Sequence, residues 1–425
     1  MRGRRRRKRA GRIFLTGLLF LLVSGISVGT AAIIWIGINT KDRSGTITGP
    51  VIFAQSEQIW DACVEAALDQ ERKLAAAEKE QSGQQKAEED PGDTREPEAS
   101  TESSELSDTE NPADLRNAPK LRIVLDPGHG GPGLTDEQEL GAIYRDTYEK
   151  YLTLEIARAM GEELSEYGNV EVFLTRNSDQ ALTLKERAAY AESVGADLLV
   201  SLHLNASLEH NFYGSEVFVS AFERFHALGA GVGNSILEEL TDYGFVSKGV
   251  KTRLGSKGAD YYGIIRECKA LGIPALIVEH GYMDEDSDWS RMSSPEARQA
   301  LGRRDAAGLA AYFGLEKGVI QAGLPVRNEQ IPTAVVRPDT TPPEEVWYQK
   351  ELQRDGRYLI TLHGVDRESR VMYYDYSLDG GQTYSPLKLW AGEDVTQFPL
   401  SLTGTEQLVF RVYNNYELRT AVEEG

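Results

Sequence analysis

Residues 121–131 read LRIVLDPGHGG and provide the clearest structural signal in the chain. Its mostly apolar first half, 121–125, predicts a buried strand, and Pro127-Gly128 predicts a turn where that strand ends. His129 follows the turn and is flanked by glycines, which let the backbone approach a bound group closely. The stretch therefore predicts a core strand that delivers a histidine to the edge of a sheet.

Strands and helices alternate along the chain after this stretch. The further predicted strands are Val170–Thr175, Leu198–His203, Gly214–Ser220, Gly263–Arg266 and Ala275–Glu279. The predicted helices are about 149–166, 183–194 and 295–312, with a longer one through Ile236, Leu237 and Leu240. This alternation predicts an α/β domain around one sheet, over residues 119–318.

The C-terminal region has a different pattern. Its runs alternate apolar and polar residues and are separated by Gly-rich turns: Tyr358–Leu362, Val371–Ser377 and Leu408–Tyr413. They predict a small β-sandwich over 345–425, joined by a linker at 319–344. Residues 377–384, SLDGGQTY, resemble a structural Asp-box hairpin. No cluster of ligand-type residues occurs here, so we expect this domain to help position the protein and to take no part in catalysis.

The N-terminal residues 1–43 predict a membrane anchor. Residues 2–12 hold eight basic residues and no acid, and Ile13 to Ile38 is uncharged. About 20 apolar residues span a bilayer, and basic flanks stay in the cytoplasm. The rest of the chain would then lie outside, at the cell membrane. The alternative is secretion after signal cleavage near Ala31, although the apolar run continues beyond that position.

Two segments separate this anchor from the α/β domain. Residues 44–87 are predicted to be juxtamembrane and mostly helical from their composition. Residues 88–118 form an acidic linker, since 88–114 hold eleven acids and one base. Such a segment cannot bury enough apolar surface to order itself. The two cysteines, Cys63 and Cys268, lie in separate segments, and a disulfide between them is not expected.

The composition also excludes a class of partner. The chain has 425 residues and a formal net charge of −20, whereas nucleic-acid binding requires clustered basic side chains. We expect no nucleic-acid partner. The aspartates in 284–288 are predicted to be solvated loop residues.

Four ligand-type side chains occur at strand ends or at a helix start: His129, Glu149, His203 and Glu279. Ligands of an open α/β sheet bind at the carboxyl ends of its strands, so these residues are expected to converge. Two neutral imidazoles and one carboxylate bind zinc and leave a fourth position for water. A second carboxylate can take a proton from that water. A histidine on a strand can equally be a core residue, and the residues alone leave both interpretations open.

A family resemblance strengthens the metal-site interpretation. The segment from 121 to about 314 closely resembles the catalytic domain of the type 3 family of zinc-dependent N-acetylmuramoyl-L-alanine amidases. The matching blocks are Asp126–Gly131, Glu149-Lys150, Leu174–Asp179, Glu186-Arg187-Ala188, Ser201–Ala206, Gly249-Val250-Lys251, Ile264-Ile265-Arg266 and Val278–Tyr282. The resemblance implies an α/β/α sandwich on a mixed sheet. It also implies a peptidoglycan substrate, cut at the amide between N-acetylmuramic acid and L-alanine.

The resemblance also implies roles for individual residues. His129, Glu149 and His203 match the Zn²⁺ ligands, and Glu279 matches the catalytic glutamate. Asn205 and Arg266 lie in family motifs near the site, so we expect substrate contacts or support of the site from them, with core packing as the alternative. His280 departs from the small residue usual after the catalytic glutamate. Adjacent strand residues face opposite ways, so we expect it to pack away from Glu279.

Two other functions compete with a cell-wall amidase. One is a wall-binding scaffold that has lost activity, although such proteins usually lose a ligand or the catalytic glutamate, and here the set is complete. The other is a zinc peptidase or deacetylase that acts on another polymer. The predicted partners are peptidoglycan and the cytoplasmic membrane, and the sequence identifies no protein partner.

Overall fold

The computed structural model of the protein describes residues 118, 120–131, 140–323 and 330–423. The predicted anchor at 1–43, the juxtamembrane segment at 44–87 and nearly all of the 88–118 linker lie outside the described residues. Within the part that is described, no helix has the length and apolar character needed to cross a membrane.

The first region alternates strands with helices, as the sequence predicts. Its strands are β1 Leu121–Pro127, β2 Ile143–Tyr144, β3 Thr147–Tyr148, β4 Val170–Leu174, β5 Leu198–Asn205, β6 Ser215–Val219, β7 Ser247–Lys251 and β8 Ala275–Tyr282. Its helices are α1 Glu149–Leu164, α2 Leu184–Ser193, α3 Glu223–Tyr243, α4 Gly263–Ala270, α5 Asp286–Ser290 and α6 Pro295–Phe313. A two-residue hairpin pairs β2 with β3.

Six of these strands form one mixed sheet in the order β4-β1-β5-β8-β6-β7. β6 runs antiparallel to β8, while the other neighbours are parallel. β1, β5 and β8 therefore end side by side at one edge. Because His129 follows β1, and His203 and Glu279 lie near the ends of β5 and β8, this edge brings these three residues together.

Alternation along β1 divides the core between the two faces of the sheet. Ile123 and Leu125 belong to a buried cluster with residues of α1, α3 and α6. Val124, between them, belongs to a second cluster with residues of α2 and α4. Neighbouring strand residues point to opposite faces, so helices cover both sides of the sheet.

Local signals explain where two of the helices begin. Thr183 and Glu186 form a capping box at the start of α2, in which each side chain accepts the other residue's backbone N–H. Ser294 caps α6, and Pro295 occupies the first turn, where no N–H is required. Gly314 ends α6 in the left-handed conformation.

The strand predicted at Gly263–Arg266 is wrong, because these residues begin helix α4. The buried side chains of α4 are Ile264, Ile265 and Cys268, a spacing that places them on one helical face. A segment this short, with two adjacent isoleucines, fits a strand and a buried helix equally well. The following residues extend the helical face and decide between them.

The C-terminal region contains two antiparallel sheets. One has the order β13-β10-β9 and the other β12-β11-β14-β15. The strands are β9 Trp347–Leu352, β10 Tyr358–His363, β11 Val371–Ser377, β12 Lys388–Leu389, β13 Val395–Leu400, β14 Val409–Asn414 and β15 Arg419–Glu423. Ile360 and Leu362 of the first sheet share a buried cluster with Phe410 and Val412 of the second.

The turn after β11 has the structural role expected of it. The Asp379 carboxylate accepts hydrogen bonds from the backbone N–H groups of Gln382 and Thr383, at 3.0 and 2.9 Å. Ser377 Oγ donates to the same carboxylate at 2.7 Å. These bonds satisfy the turn's own backbone, as in other Asx-type turns.

The prediction that the 284–288 aspartates are solvated is wrong for two of them. Asp284 and Asp288 are 7% and 2% exposed. Asp284 accepts the backbone N–H of Ser207 at 2.9 Å, and Asp288 accepts those of Gly214 and Tyr282 at 2.7 and 2.9 Å. Acid-rich composition could not reveal these long-range backbone partners.

Candidate metal centre

His129 lies immediately beyond β1 in a backbone conformation that favours glycine, with φ of 62°. Two buried arginines hold this turn. Arg187 Nη2 donates to the His129 carbonyl at 2.7 Å, and Arg176 Nη2 donates to the Gly128 carbonyl at 2.9 Å. Arg187 also pairs with Asp126 at 2.6 Å. The turn's carbonyls are therefore satisfied by cations, which fixes the imidazole at the sheet edge.

Glu149 is the first residue of α1, and its carboxylate is held on both oxygens. Oε2 accepts the Ala142 N–H at 2.7 Å, and Oε1 accepts the Leu204 N–H at 3.0 Å. Gly141 makes the first contact feasible, because a Cβ there would lie 2.4 Å from Glu149 Oε2. The loop before the β2–β3 hairpin thus orients this carboxylate.

His203 lies on β5 with its ring against Gly128. A Cβ at Gly128 would be 2.3 Å from His203 Cε1, so only glycine fits beneath the ring. The His203 Nδ1 atom lies 3.1 Å from Glu149 Oε1, and Nε2 lies 3.2 Å from Ser201 Oγ. Burial lowers the pKa of His203, although its hydrogen bond to Glu149 raises it. The lowered pKa favours the neutral imidazole, which is the form that metals bind.

The three side chains converge as predicted. The ligand atoms of His129, Glu149 and His203 all lie within 4.8 Å of one another. His129 Nε2 is 3.2 Å from Glu149 Oε2, so each carboxylate oxygen faces a different imidazole. Burial disfavours the Glu149 carboxylate, yet the two imidazoles hold its pKa well below the ordinary value. Two nitrogens and one ionised carboxylate make a donor set suited to a divalent cation.

Glu279 lies beside this group on the same face of the sheet. It is the direct register partner of His203, on the adjacent parallel strand β8. Among the residues that the structure describes, nothing hydrogen-bonds its buried Oε2. Burial, followed by the charges of Glu149 and Glu216, raises the pKa of Glu279 well above its ordinary value. An unpartnered carboxylate oxygen with a raised pKa is suited to accepting a proton.

Lys150 and Asp179, which belong to the family motifs, hold the turn after β1 at Gly131. The sequence analysis did not predict this role. Lys150 Nζ donates to the Gly131 carbonyl at 2.6 Å and to Asp179 at 2.9 Å. Asp179 in turn accepts the Gly131 N–H at 2.7 Å. Both residues lie in blocks that match the family, which could have indicated a role near the site. Spacing alone, however, does not show which backbone group a side chain reaches.

The two tentative site residues make different contacts. Asn205 Nδ2 donates to Glu216 Oε1 at 2.7 Å, so its amide is held by a buried carboxylate. Arg266 Nη1 donates to the carbonyls of Asp260 and Tyr261, both at 2.9 Å. It therefore fixes the loop before α4.

His280 points away from Glu279, as the alternation predicts. It is fully buried, and its Nε2 lies 2.7 Å from Asp305 Oδ2 of α6. Its Nδ1 lies 2.9 Å from the His203 carbonyl. The His280 side chain thus connects the backbone of His203 to helix α6.

The site residues fall within a region that matches a known protein family. The family profile described as N-acetylmuramoyl-L-alanine amidase (Amidase_3) matches residues 123–311. The N-acetylmuramoyl-L-alanine amidase CwlM of Bacillus licheniformis is 33% identical over 198 residues, which cover 46% of this chain and 70% of that protein. A sporulation-specific N-acetylmuramoyl-L-alanine amidase of Bacillus subtilis is 31% identical with the same coverage.

A solved structure also aligns with part of the chain. The catalytic domain of CwlV, an N-acetylmuramoyl-L-alanine amidase from Bacillus (Paenibacillus) polymyxa var. colistinus, aligns with a TM-score of 0.39 and 26% identity. The alignment covers 46% of this chain and 99% of that one.

Proposed function

This chain belongs to the N-acetylmuramoyl-L-alanine amidase family (Amidase_3), and we infer from that membership and from the site that it is a peptidoglycan hydrolase. It hydrolyses the amide bond between N-acetylmuramic acid and the L-alanine of the stem peptide. The observation that carries this conclusion is the convergence of His129, Glu149 and His203 beside Glu279.

We propose that the cation at the triad is zinc. Two imidazoles and one carboxylate match a catalytic zinc site with three protein ligands. The buried Glu279 Oε2, which has no partner among the described residues, supports a further group bound beside the triad. When bound, zinc supplies a Lewis acid that lowers the pKa of water and polarises the amide carbonyl.

We propose that Glu279 is the general acid–base. Its Oε2 is free to take the proton of the attacking water, and its raised pKa allows it to hold that proton. It then gives the proton to the nitrogen of L-alanine as the C–N bond breaks, so that the product leaves as an amine. The ionised Glu149 and the neutral His203 stay in the forms that bind a cation.

We also propose that residues 1–43 anchor the protein in the cytoplasmic membrane with the amidase region outside. The basic flank, the long uncharged span and the acidic linker support this arrangement. It would place the enzyme on the side of the membrane where peptidoglycan lies.

The test of the function uses the purified full-length chain and purified sacculi. We expect release of stem peptides with a free L-alanine amino group and, in parallel, loss of release when a chelator removes the metal. Zinc added back should restore release. Glycan strands shortened without new L-alanine amino groups would show that a different bond is cut, and undiminished activity in chelator would show that the reaction needs no metal.

A further inference from the structure

A buried ion network lies next to the active site and extends into the C-terminal region. The Glu216 carboxylate of β6 is 4% exposed and accepts a hydrogen bond from Lys251 Nζ. Lys248 Nζ lies 3.6 Å from the other carboxylate oxygen. Both lysines belong to β7 and are almost fully buried, so each requires compensation of its charge.

The turn between β14 and β15 provides that compensation. The Glu417 carboxylate accepts hydrogen bonds from Lys248 Nζ and from the Tyr282 hydroxyl. Lys251 Nζ donates to the Asn415 carbonyl, and the Asn415 amide donates to the Lys248 carbonyl at 3.1 Å. The network therefore contains two lysines and two glutamates, and one of the glutamates belongs to the C-terminal region.

The same network contacts the catalytic groups. Glu216 is the direct register partner of Glu279 across the antiparallel β6–β8 pair. It also accepts the hydrogen bond from Asn205. His203, Glu279 and Glu216 thus form one row across three neighbouring strands. A displacement of the Glu216 carboxylate would change the surroundings of Glu279 directly.

The backbone of Glu417 supports a specific role for its side chain. Its φ of 67° lies in the left-handed region, where glycine or asparagine is the usual residue. A glutamate in this region has a strained backbone, and such strain persists where surrounding contacts over-determine it. The contacts here are the carboxylate's bonds to Lys248 and Tyr282.

An apolar interface holds the turn in place. Phe212 and Tyr282 of the first region share a buried cluster with Met372, Tyr373 and Tyr413 of the C-terminal region. The Tyr373 hydroxyl also donates to the Tyr213 carbonyl. The expectation that the C-terminal region acts separately from catalysis did not foresee these contacts.

Resting on the proposed amidase function, we propose that Glu417 of the C-terminal region is a positioning residue for the reaction. The Glu417 carboxylate neutralises Lys248, so the Glu216 carboxylate can keep its hydrogen bonds from Lys251 and Asn205. Glu417 thereby holds Glu216 in position beside Glu279. Without the Glu417 charge, Glu216 is the remaining carboxylate within reach of Lys248 among the described residues, and it would shift toward that lysine.

The test compares Glu417→Gln with the wild type as zinc-loaded full-length chains acting on a soluble muropeptide. We expect kcat to fall by about 10-fold or more, since a misplacement of about 1 Å can cost 10²-fold. KM should change by less than about twofold, because the substrate's own contacts remain. Glu423→Gln, on an exposed residue of β15, is the matched control and should keep the wild-type kcat.

A second measurement does not depend on turnover. Lys248→Met and Glu417→Gln should each lower the unfolding temperature, and the double variant should lose less than their sum, because both changes act on one network. The zinc content of all folded variants should equal that of the wild type. If Glu417→Gln does not fold, Glu417→Asp takes its place, with the same loss of kcat expected from its retracted charge.

Two outcomes would overturn the positioning role. One is a folded, zinc-loaded Glu417→Gln enzyme with the kcat of the wild type. The other is strictly additive losses in the double variant. Both leave the proposed function intact as long as the wild type releases L-alanine amines, whereas an inactive, zinc-loaded wild type would refute the amidase function itself.

Discussion

At the scale of the residue, His129 and Glu417 have an unusual feature in common. Both adopt a left-handed backbone, with φ of 62° and 67°, although neither is glycine. Each side chain makes contacts that glycine could not make, with the carboxylate of Glu149 in one case and the ammonium of Lys248 in the other. Strain at these positions is consistent with functional side chains.

Glu279→Gln should retain the fold and the zinc but lose nearly all turnover. Glutamine has almost the same shape, yet it cannot accept and pass on a proton, a role that contributes about 10²–10⁴-fold to a rate. The measurement is kcat on a soluble muropeptide, with zinc content determined on the same sample. Activity within a few-fold of the wild type would show that another group is the base.

Asp288→Asn should change how stability depends on pH. Burial raises the pKa of Asp288 to about 6, although the hydrogen bonds that its carboxylate accepts from two backbone N–H groups lower it. An acid whose pKa is higher in the folded than in the unfolded chain stabilises the fold at low pH. That contribution is lost as the pH rises through the folded pKa. The difference of roughly two pKa units corresponds to about 3 kcal/mol at most.

The measurement is the free energy of unfolding of both chains between pH 4 and pH 7. We expect the variant, which cannot ionise, to become more stable relative to the wild type as the pH rises. Asp286→Asn is the control, since Asp286 lies in the same short helix with its side chain 80% exposed. Parallel pH curves for the wild type and Asp288→Asn would contradict the raised pKa.

At the scale of the element, close packing of α1 against α6 depends on Gly302. A Cβ at this position would lie 2.4 Å from the Ile156 carbonyl oxygen and 2.6 Å from the Met160 nitrogen. These are backbone atoms, which cannot move aside as a side chain can. We expect Gly302→Ala to force the helices apart and to lower the free energy of unfolding by about 1–3 kcal/mol.

Gly161→Ala provides the matched comparison within α1. A Cβ there would meet side-chain methyl groups at 3.5–3.6 Å, which is ordinary contact. Alanine favours a helix interior over glycine by about 1 kcal/mol, so this variant should be as stable as the wild type or more stable. Denaturant unfolding measures both. Equal stability changes in the two variants would contradict the steric argument.

The predicted anchor at 1–43 and the predicted acidic linker after it concern how the enzyme reaches its substrate. If residues 88–114 form the acidic linker that the sequence predicts, a charged coil of these 27 residues would span about 30 Å on average. The amidase region could then search the wall just above the membrane. We expect protease added to intact spheroplasts to remove the amidase region and leave a short N-terminal fragment in the membrane.

A chain that lacks residues 1–43 is the control for this experiment and should not be membrane-bound. Recovery of a soluble mature protein that begins near Ala32 would instead establish secretion after cleavage. The acidic linker would then not be attached to the membrane. Both the proposed anchor and the proposed location would be wrong.

Sequence patterns predicted the strand from Leu121 and the helices from Glu149 and Pro295, and the family resemblance implied the metal-ligand roles of His129, Glu149 and His203. The strand and helix predictions rest on a mostly apolar segment and on apolar residues at helical spacing. The convergence of the triad was also predictable, because the carboxyl ends of parallel strands meet at one edge. The segment 263–266 was too short to distinguish a strand from a helix, and the strand predicted there was wrong.

The groups that surround these residues follow from tertiary contacts, which local sequence patterns do not predict. The pairing of Glu216 with Glu279 depends on the antiparallel insertion of β6 next to β8, and the bond between Lys248 and Glu417 joins residues 169 positions apart. Asp288 reads as a solvated acid until its backbone partners are known. The physical reason is common to all three. A buried charge is stabilised by whichever polar groups the fold brings to it, and those groups need not be near it in the chain.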